Sequence, residues 1–448
     1  MSAFDLAVLG GTLVTSTGRS RANVYVRDGR VVLIDEEVHA AIETVDAAGL
    51  QVMPGMVDTH VHLMDPGDTS REDFPSGTAA AAANGVTTIV EHTHGHPVKT
   101  VLDLNEKLAH LKSRSRVDFG LAAHVWKEHI GDLSGLWKAG VAFFKIFTCT
   151  THGVPAVEGA TMTAVLTEMA RFGGNCLIHC EDESLTAEAE RRLREQGRTD
   201  PGLLIEWRSR PAEEVAVQAA VIIARHAGAR ATIAHVSTPE VAGLVAFARE
   251  SGADLVAEAC PQYLYLRENE VLNEGALRKF TPPARIRDDH EEGTMWDLLR
   301  KRAFNHISTD HAPSTLDQKS DGGFWDVHFG LPGLDTTLRL LLDGAAIGRL
   351  RYEDVVALYS EAPARRYGLF PRKGRLGIGA DADIVLIDPD RTWVIENADI
   401  ISKSGWSPYA GRSGRGAVVA AYLRGTKIAE GGKPVDRFEG KFLPGEGA

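Results

Sequence analysis

Hydrophobic and polar positions follow two different rhythms along this chain. Over the first fifty residues the apolar runs are short and closed by tight turns: Asp5 to Leu9, Val24 to Arg27, and Arg30 to Ile34 across an Asp28-Gly29 hairpin signal. This segment predicts β-structure. From about Pro54 short apolar strands alternate with longer helical patterns, the grammar of a parallel sheet closed by crossover helices. Eight strands are expected: Gly55 to Val61, Val86 to His92, Phe119 to His124, Val141 to Phe147, Asn175 to Cys180, Ala231 to Val236, Asp254 to Ala259 and Asn305 to Asp310. Helices are expected at Gly77 to Asn84, Val98 to Lys112, Thr161 to Phe172, Ala212 to Ala227 and Pro239 to Arg249. After about Gly368 the β grammar returns in Asp381 to Ile387, Thr392 to Ile395 and Ala417 to Leu423. The expected fold is α/β, a (β/α)8 barrel over residues 55–367. The flanking segments 1–54 and 368–448 are expected to pair into one composite β-sandwich, since neither alone has strands enough to bury both faces.

At 448 residues the chain has room for such a barrel and a smaller domain. No apolar run approaches the ~20 residues that span a bilayer, and the segment Met1 to Val8 has no secretory pattern, so no membrane association and a cytoplasmic location are expected. A formal charge of −12 argues against a nucleic-acid partner. Cys149, Cys176, Cys180 and Cys260 are too few and scattered for a disulfide framework and read as reduced thiols.

The chemistry gathers at the carboxyl ends of the barrel strands, the face where active sites of this architecture are built. Strand one ends in Asp58-Thr59-His60-Val61-His62, strand four in Phe144-Lys145-Ile146-Phe147, strand five in His179-Cys180, strand six in His235-Val236, and strand eight in Thr309-Asp310-His311. Side chains alternate along a strand, so His60 and His62 face the same way and can share a metal. By the same alternation Cys176 and Cys180 read as core thiols, away from His179. Lys145 sits among Phe143, Phe144, Ile146 and Phe147, where an ammonium is costly to bury. As a neutral amine it can react with carbon dioxide, giving a carbamate whose two oxygens can each bind a metal. Taken alone, a strand-end lysine snorkelling to solvent is the ordinary expectation.

Together these residues resemble the amidohydrolase superfamily, in the branch of dihydroorotase, dihydropyrimidinase or hydantoinase, and allantoinase. The resemblance spans nearly the whole chain and includes Pro54-Gly55-Met56-Val57-Asp58-Thr59-His60-Val61-His62, Gly85-Val86-Thr87-Thr88, Cys260-Pro261-Gln262-Tyr263, Thr309-Asp310-His311-Ala312-Pro313 and Gly379-Ala380-Asp381-Ala382-Asp383. It implies two divalent metal ions, usually zinc. His60, His62 and Asp310 would hold the more buried ion, His179 and His235 the other, and carboxylated Lys145 would bridge them. It further implies a small cyclic amide substrate, a water activated between the metals, Asp310 as proton carrier, and a homotetramer or homodimer. Relatives that have lost metal ligands act as scaffolds, but all six positions are filled here.

The substrate contacts depart from the branch. Met64 stands where dihydroorotases place an arginine for the substrate carboxylate, which disfavours that activity. Thr150 occupies the position of the hydantoinase tyrosine that donates to the oxyanion; it, or His152 beyond it, could serve only if the loop comes closer. Thr281 keeps a hydroxyl where the branch supplies a serine, and in the Phe329-Gly330 segment Phe329 replaces a usual asparagine. Ser407-Pro408-Tyr409-Ala410-Gly411-Arg412 and Asp65-Pro66-Gly67 favour an allantoinase-like reading, with hydantoinase, dihydropyrimidinase or cyclic imide hydrolase as alternatives. His92, His94 and His96 replace a Met-Pro-Leu-Asn-like run, and their alternation points to substrate contact, His94 foremost, rather than a third metal.

Overall fold

The computed structural model describes residues 4–448, so the first three residues of the amino-terminal segment lie outside it. Eight parallel strands form the barrel: β1 (Met56–Val61), β2 (Val86–Glu91), β3 (Asp118–Leu121, continued by Ala123–His124), β4 (Phe144–Phe147), β5 (Asn175–His179), β6 (Arg230–Ile233), β7 (Leu255–Ala259) and β8 (Phe304–Ile307). The expected third strand is interrupted at Ala122, where the amide turns to the Glu91 carbonyl (3.0 Å) before Ala123 bonds to Phe143 (3.1 Å). The ring closes between β8 and β1 through the Val61–His311 bridge and the His62 amide on the His311 carbonyl, 2.8 Å.

Sequence explains the helices on the outside. In Arg210–Ala227 the buried residues Ala212, Ala216, Val217, Ala220, Val221 and Ala224 form one stripe, and Gly228 ends the helix in the left-handed region. Pro239–Glu250 starts under a Thr238 cap with proline in its first turn. The barrel floor is filled by Val57, Val90, Phe143, Leu177 and Ala234, which leaves only its carboxyl end open for chemistry.

The flanking segments pair as the composite sandwich requires. A seven-stranded sheet joins Gln51–Pro54 and Thr12–Val14 to Ile384–Val394 and Ser413–Leu423, facing a four-stranded amino-terminal sheet across Leu6, Val24, Val52, Ile384 and Tyr422. The two strands expected at Asp381 to Ile387 and Thr392 to Ile395 are one strand with a bulge after Asp388, whose carboxylate caps the amides of Asp390 and Arg391. Within 368–448 the last residues leave the sheet: Leu443 bonds to Phe119 (2.7 Å) and Gly445 to Gly140 (2.9 Å), under the barrel. Among the described residues no helix is long and apolar enough to cross a membrane.

One buried ion cluster ties sandwich to barrel. Lys373, 1% exposed, contacts Asp118 at the start of β3 (2.6 Å), Asp383 (2.7 Å) and Asp381 (3.0 Å). Lys373→Met would leave these carboxylates buried beside one another, so a loss of about 3–5 kcal/mol is expected. Denaturant unfolding of the two proteins checks this; a midpoint unchanged from wild type would contradict it.

Candidate metal centre

The strand ends bring His60, His62, Lys145, His179, His235 and Asp310 around one small cavity. Asp310 Oδ1 lies 3.2 Å from His60 Nε2 and 3.5 Å from His62 Nε2. Lys145 Nζ is 3.3 Å from His60 Nε2. His179 Nδ1 and His235 Nε2 face each other at 2.9 Å.

What these imidazoles do with their other nitrogen decides the chemistry. His60 Nδ1–H donates to Glu258 (2.8 Å), His62 Nδ1–H to the His92 carbonyl (2.6 Å), and His179 Nε2–H to Glu181 (2.8 Å). A neutral imidazole that gives away its one N–H turns its lone pair the other way, here into the cavity. Burial lowers the pKa of His62 to about 4 and depresses His179 and His235 as well, favouring the neutral form a metal needs. Burial would push Asp310 up, but His60, His62 and His235 outweigh it and hold the carboxyl below its ordinary range. Burial also brings Lys145 down to about 8. Convergent lone pairs, a carboxylate and a lysine without a carboxylate partner among the described residues form a donor set that fits divalent metals.

Glu258 and Glu181, each paired with an imidazole of the donor set, have no role in the motif reading, although Glu181 closes the His179-Cys180-Glu181 run. Glu258 also accepts from the His235 amide (2.9 Å), and although burial would raise its pKa, His60 and His306 hold it well below the usual range. Glu181 accepts from Arg208 (3.3 Å) and from the Thr281 hydroxyl (2.6 Å). A glutamate inside the apolar run Leu255 to Ala259 was the available signal, because a buried strand has no cheap place for one. The four cysteines are free and buried.

Of the expected substrate contacts, His94, Thr281, Phe329 and Gly330 line the cavity, joined by His152, Phe147, Phe280 and Ala312. Gly330 has φ 119°, and a Cβ there would meet the Ala312 carbonyl at 2.2 Å, so only glycine lets the loop close over the site. Met64 and Thr150 are not brought to the cavity. Met64 is buried where the chain turns with φ 55°. Thr150 is exposed, its amide and hydroxyl both donating to Glu183 at 2.6 and 2.8 Å. His92 is buried and His96 exposed, neither lining the cavity.

A parallel barrel with this donor set at its carboxyl end has the site of a metal-assisted hydrolase. The sequence model of the Amidohydrolase family matches residues 51–426, and the chain belongs to that family. It is 38% identical to an allantoinase of Rubrobacter xylanophilus (strain DSM 9941), covering 99% of this chain and 98% of that one. It is 31% identical to a D-hydantoinase of Ralstonia pickettii, covering 98% of each. The L-hydantoinase (dihydropyrimidinase) structure from Arthrobacter aurescens superposes with a TM-score of 0.94 at 30% identity, over 98% of this chain and 100% of that one. The protein is a cyclic amidohydrolase, and the family generally works through a binuclear metal centre. The scaffold alternative is thereby set aside.

Proposed function

We propose that the chain opens the ring of a neutral cyclic ureide, as an allantoinase does, by hydrolysing a ring C–N bond. In this reading His60, His62 and Asp310 would hold one divalent ion, zinc being the usual occupant, His179 and His235 would hold a second, and Lys145, once carboxylated, would supply oxygens to both. Bound there, the ions would lower the pKa of water and polarise the scissile carbonyl. The chain's own groups do the rest. Asp310 takes the proton of the attacking water and returns it to the departing ring nitrogen. Glu258, Glu181 and the His92 carbonyl keep the imidazoles in one tautomer, and Phe147, Phe280 and Phe329 shield the reacting carbonyl from bulk water.

The observation carrying the choice of a neutral ring is the lining itself. Lys145 is its one lysine, it has no arginine, and its remaining polar groups are neutral or belong to the metal donor set. A substrate carboxylate would find no dedicated cation, a loss of several kcal/mol in order of magnitude. Allantoin, hydantoin, dihydrouracil, a cyclic imide and dihydroorotate should be assayed side by side with zinc-loaded enzyme. We expect kcat/KM for dihydroorotate at least about 10²-fold below the best neutral ring. Faster turnover of dihydroorotate than of every neutral ring would overturn this reading, and no ring opening at all would overturn the proposed reaction.

A further inference from the structure

The segment after β4 makes a tight turn that fixes the direction of one histidine. Thr151 and Val154 exchange both backbone hydrogen bonds, 3.1 and 2.8 Å, so His152 and Gly153 are the two central residues of a tight hairpin. Their φ angles are 53° and 74°, the double left-handed pattern of a type I′ turn. Glycine and asparagine suit that turn best; a histidine at its first central position is less common, since it carries a Cβ into the left-handed region.

The turn places the His152 ring in the cavity wall. One face stacks on His94 with centroids 4.6 Å apart and planes 17° from parallel, and Phe329 meets the ring at 5.8 Å and 71°. The hydroxyl and backbone amide groups nearest the wall are already engaged. The Thr281 hydroxyl donates to Glu181, the Gly330 amide to the Lys279 carbonyl (3.0 Å), and Thr150 is turned out to Glu183. His94 Nδ1 lies 3.3 Å from His124 Nε2, which fixes the ring on which His152 stacks.

We infer that His152 is the hydrogen-bond donor to the ring carbonyl as it becomes an oxyanion, with His94 as the residue that positions it. This rests on the ring-amide reading above and names the group that does what Thr150 cannot do from the outside of the loop. An imidazole N–H held in the cavity wall by the turn and by the stack on His94 is suited to that charge, because it needs little reorganisation as the charge develops.

Two substitutions separate this role from a structural one. His152→Gly removes the ring and relaxes the turn; His152→Asn suits the turn and keeps a shorter donor. With the metal-loaded proteins and the best ring of the substrate panel, we expect His152→Gly to lower kcat by about 10²–10³-fold. KM should change far less, metal content should match wild type, and Tm should not fall. His152→Asn should recover part of kcat. Wild-type kcat in His152→Gly, or a loss lying wholly in KM, would overturn the inference while leaving the ring-amide reading intact. A loss of kcat accompanied by loss of metal or of Tm would also overturn it, in favour of a structural role. A wild-type enzyme that opens none of the rings would overturn both.

Discussion

Lys145→Ala protein will hold markedly less metal than wild type and open its substrate at least about 10³-fold more slowly, the order expected when a metal contribution of several kcal/mol is lost. The argument starts from burial. Lys145 is 1% exposed, and Phe147 presents its ring 5.1 Å from Nζ. Its polar neighbour is His60 Nε2, itself a lone pair, and among the described residues no carboxylate lies within ion-pair distance. An ammonium in this position is poorly compensated, and burial lowers its pKa from 10.5 to about 8. That raises the share of neutral amine at neutral pH by roughly 10²-fold, and the neutral amine is the form that takes up carbon dioxide. Alanine removes both the amine and the two oxygens it would carry. Short carboxylic acids added to Lys145→Ala should restore part of the activity, since they bring two oxygens into the vacated space. Full metal content by elemental analysis together with normal rates in Lys145→Ala would show that the lysine bridges nothing.

The strand order and the convergence of the six candidate donors could be read from the chain because each rests on a local pattern. His60 and His62 share a face through the two-residue period of a strand, and Lys145, His179, His235 and Asp310 follow short apolar runs that can only be buried strands. The sandwich was legible for a different reason: two β segments too small to stand alone must find each other. The sequence pattern does not encode loop trajectories. Thr150 and His152 are two residues apart, yet one faces solvent and the other the cavity, because a hairpin tip reverses the chain between Thr151 and Val154. Met64 fails in the same way, its direction set by a left-handed backbone that no motif announces. Glu258 was legible as an oddity within an apolar strand but not as a partner of His60, since 198 residues separate them and only barrel closure brings them together.

Asp310→Asn protein will keep its fold and much of its metal but lose about 10²–10⁴-fold in kcat, the range a positioned acid-base group supplies. Asparagine is the informative replacement. Asp310 sits at φ 50°, a conformation that asparagine tolerates and alanine does not, so a defect in the variant is chemical rather than conformational. The amide oxygen can still approach a metal between His60 and His62, where Asp310 Oδ1 now lies at 3.2 and 3.5 Å. What it cannot do is accept a proton from water and pass it on. Cations held by the donor set would keep the native carboxyl ionised, so it would begin the cycle as a base and become an acid only after it has received the water's proton. The second half of that role can be separated from the first by choice of leaving group. A cyclic imide departs as a more stable nitrogen anion than a ureide and needs less help from an acid. The deficit of Asp310→Asn should therefore be smaller on the imide than on the ureide. Equal deficits on the two rings would mean that Asp310 does not protonate the leaving nitrogen, and an undiminished kcat on both would remove it from proton transfer altogether.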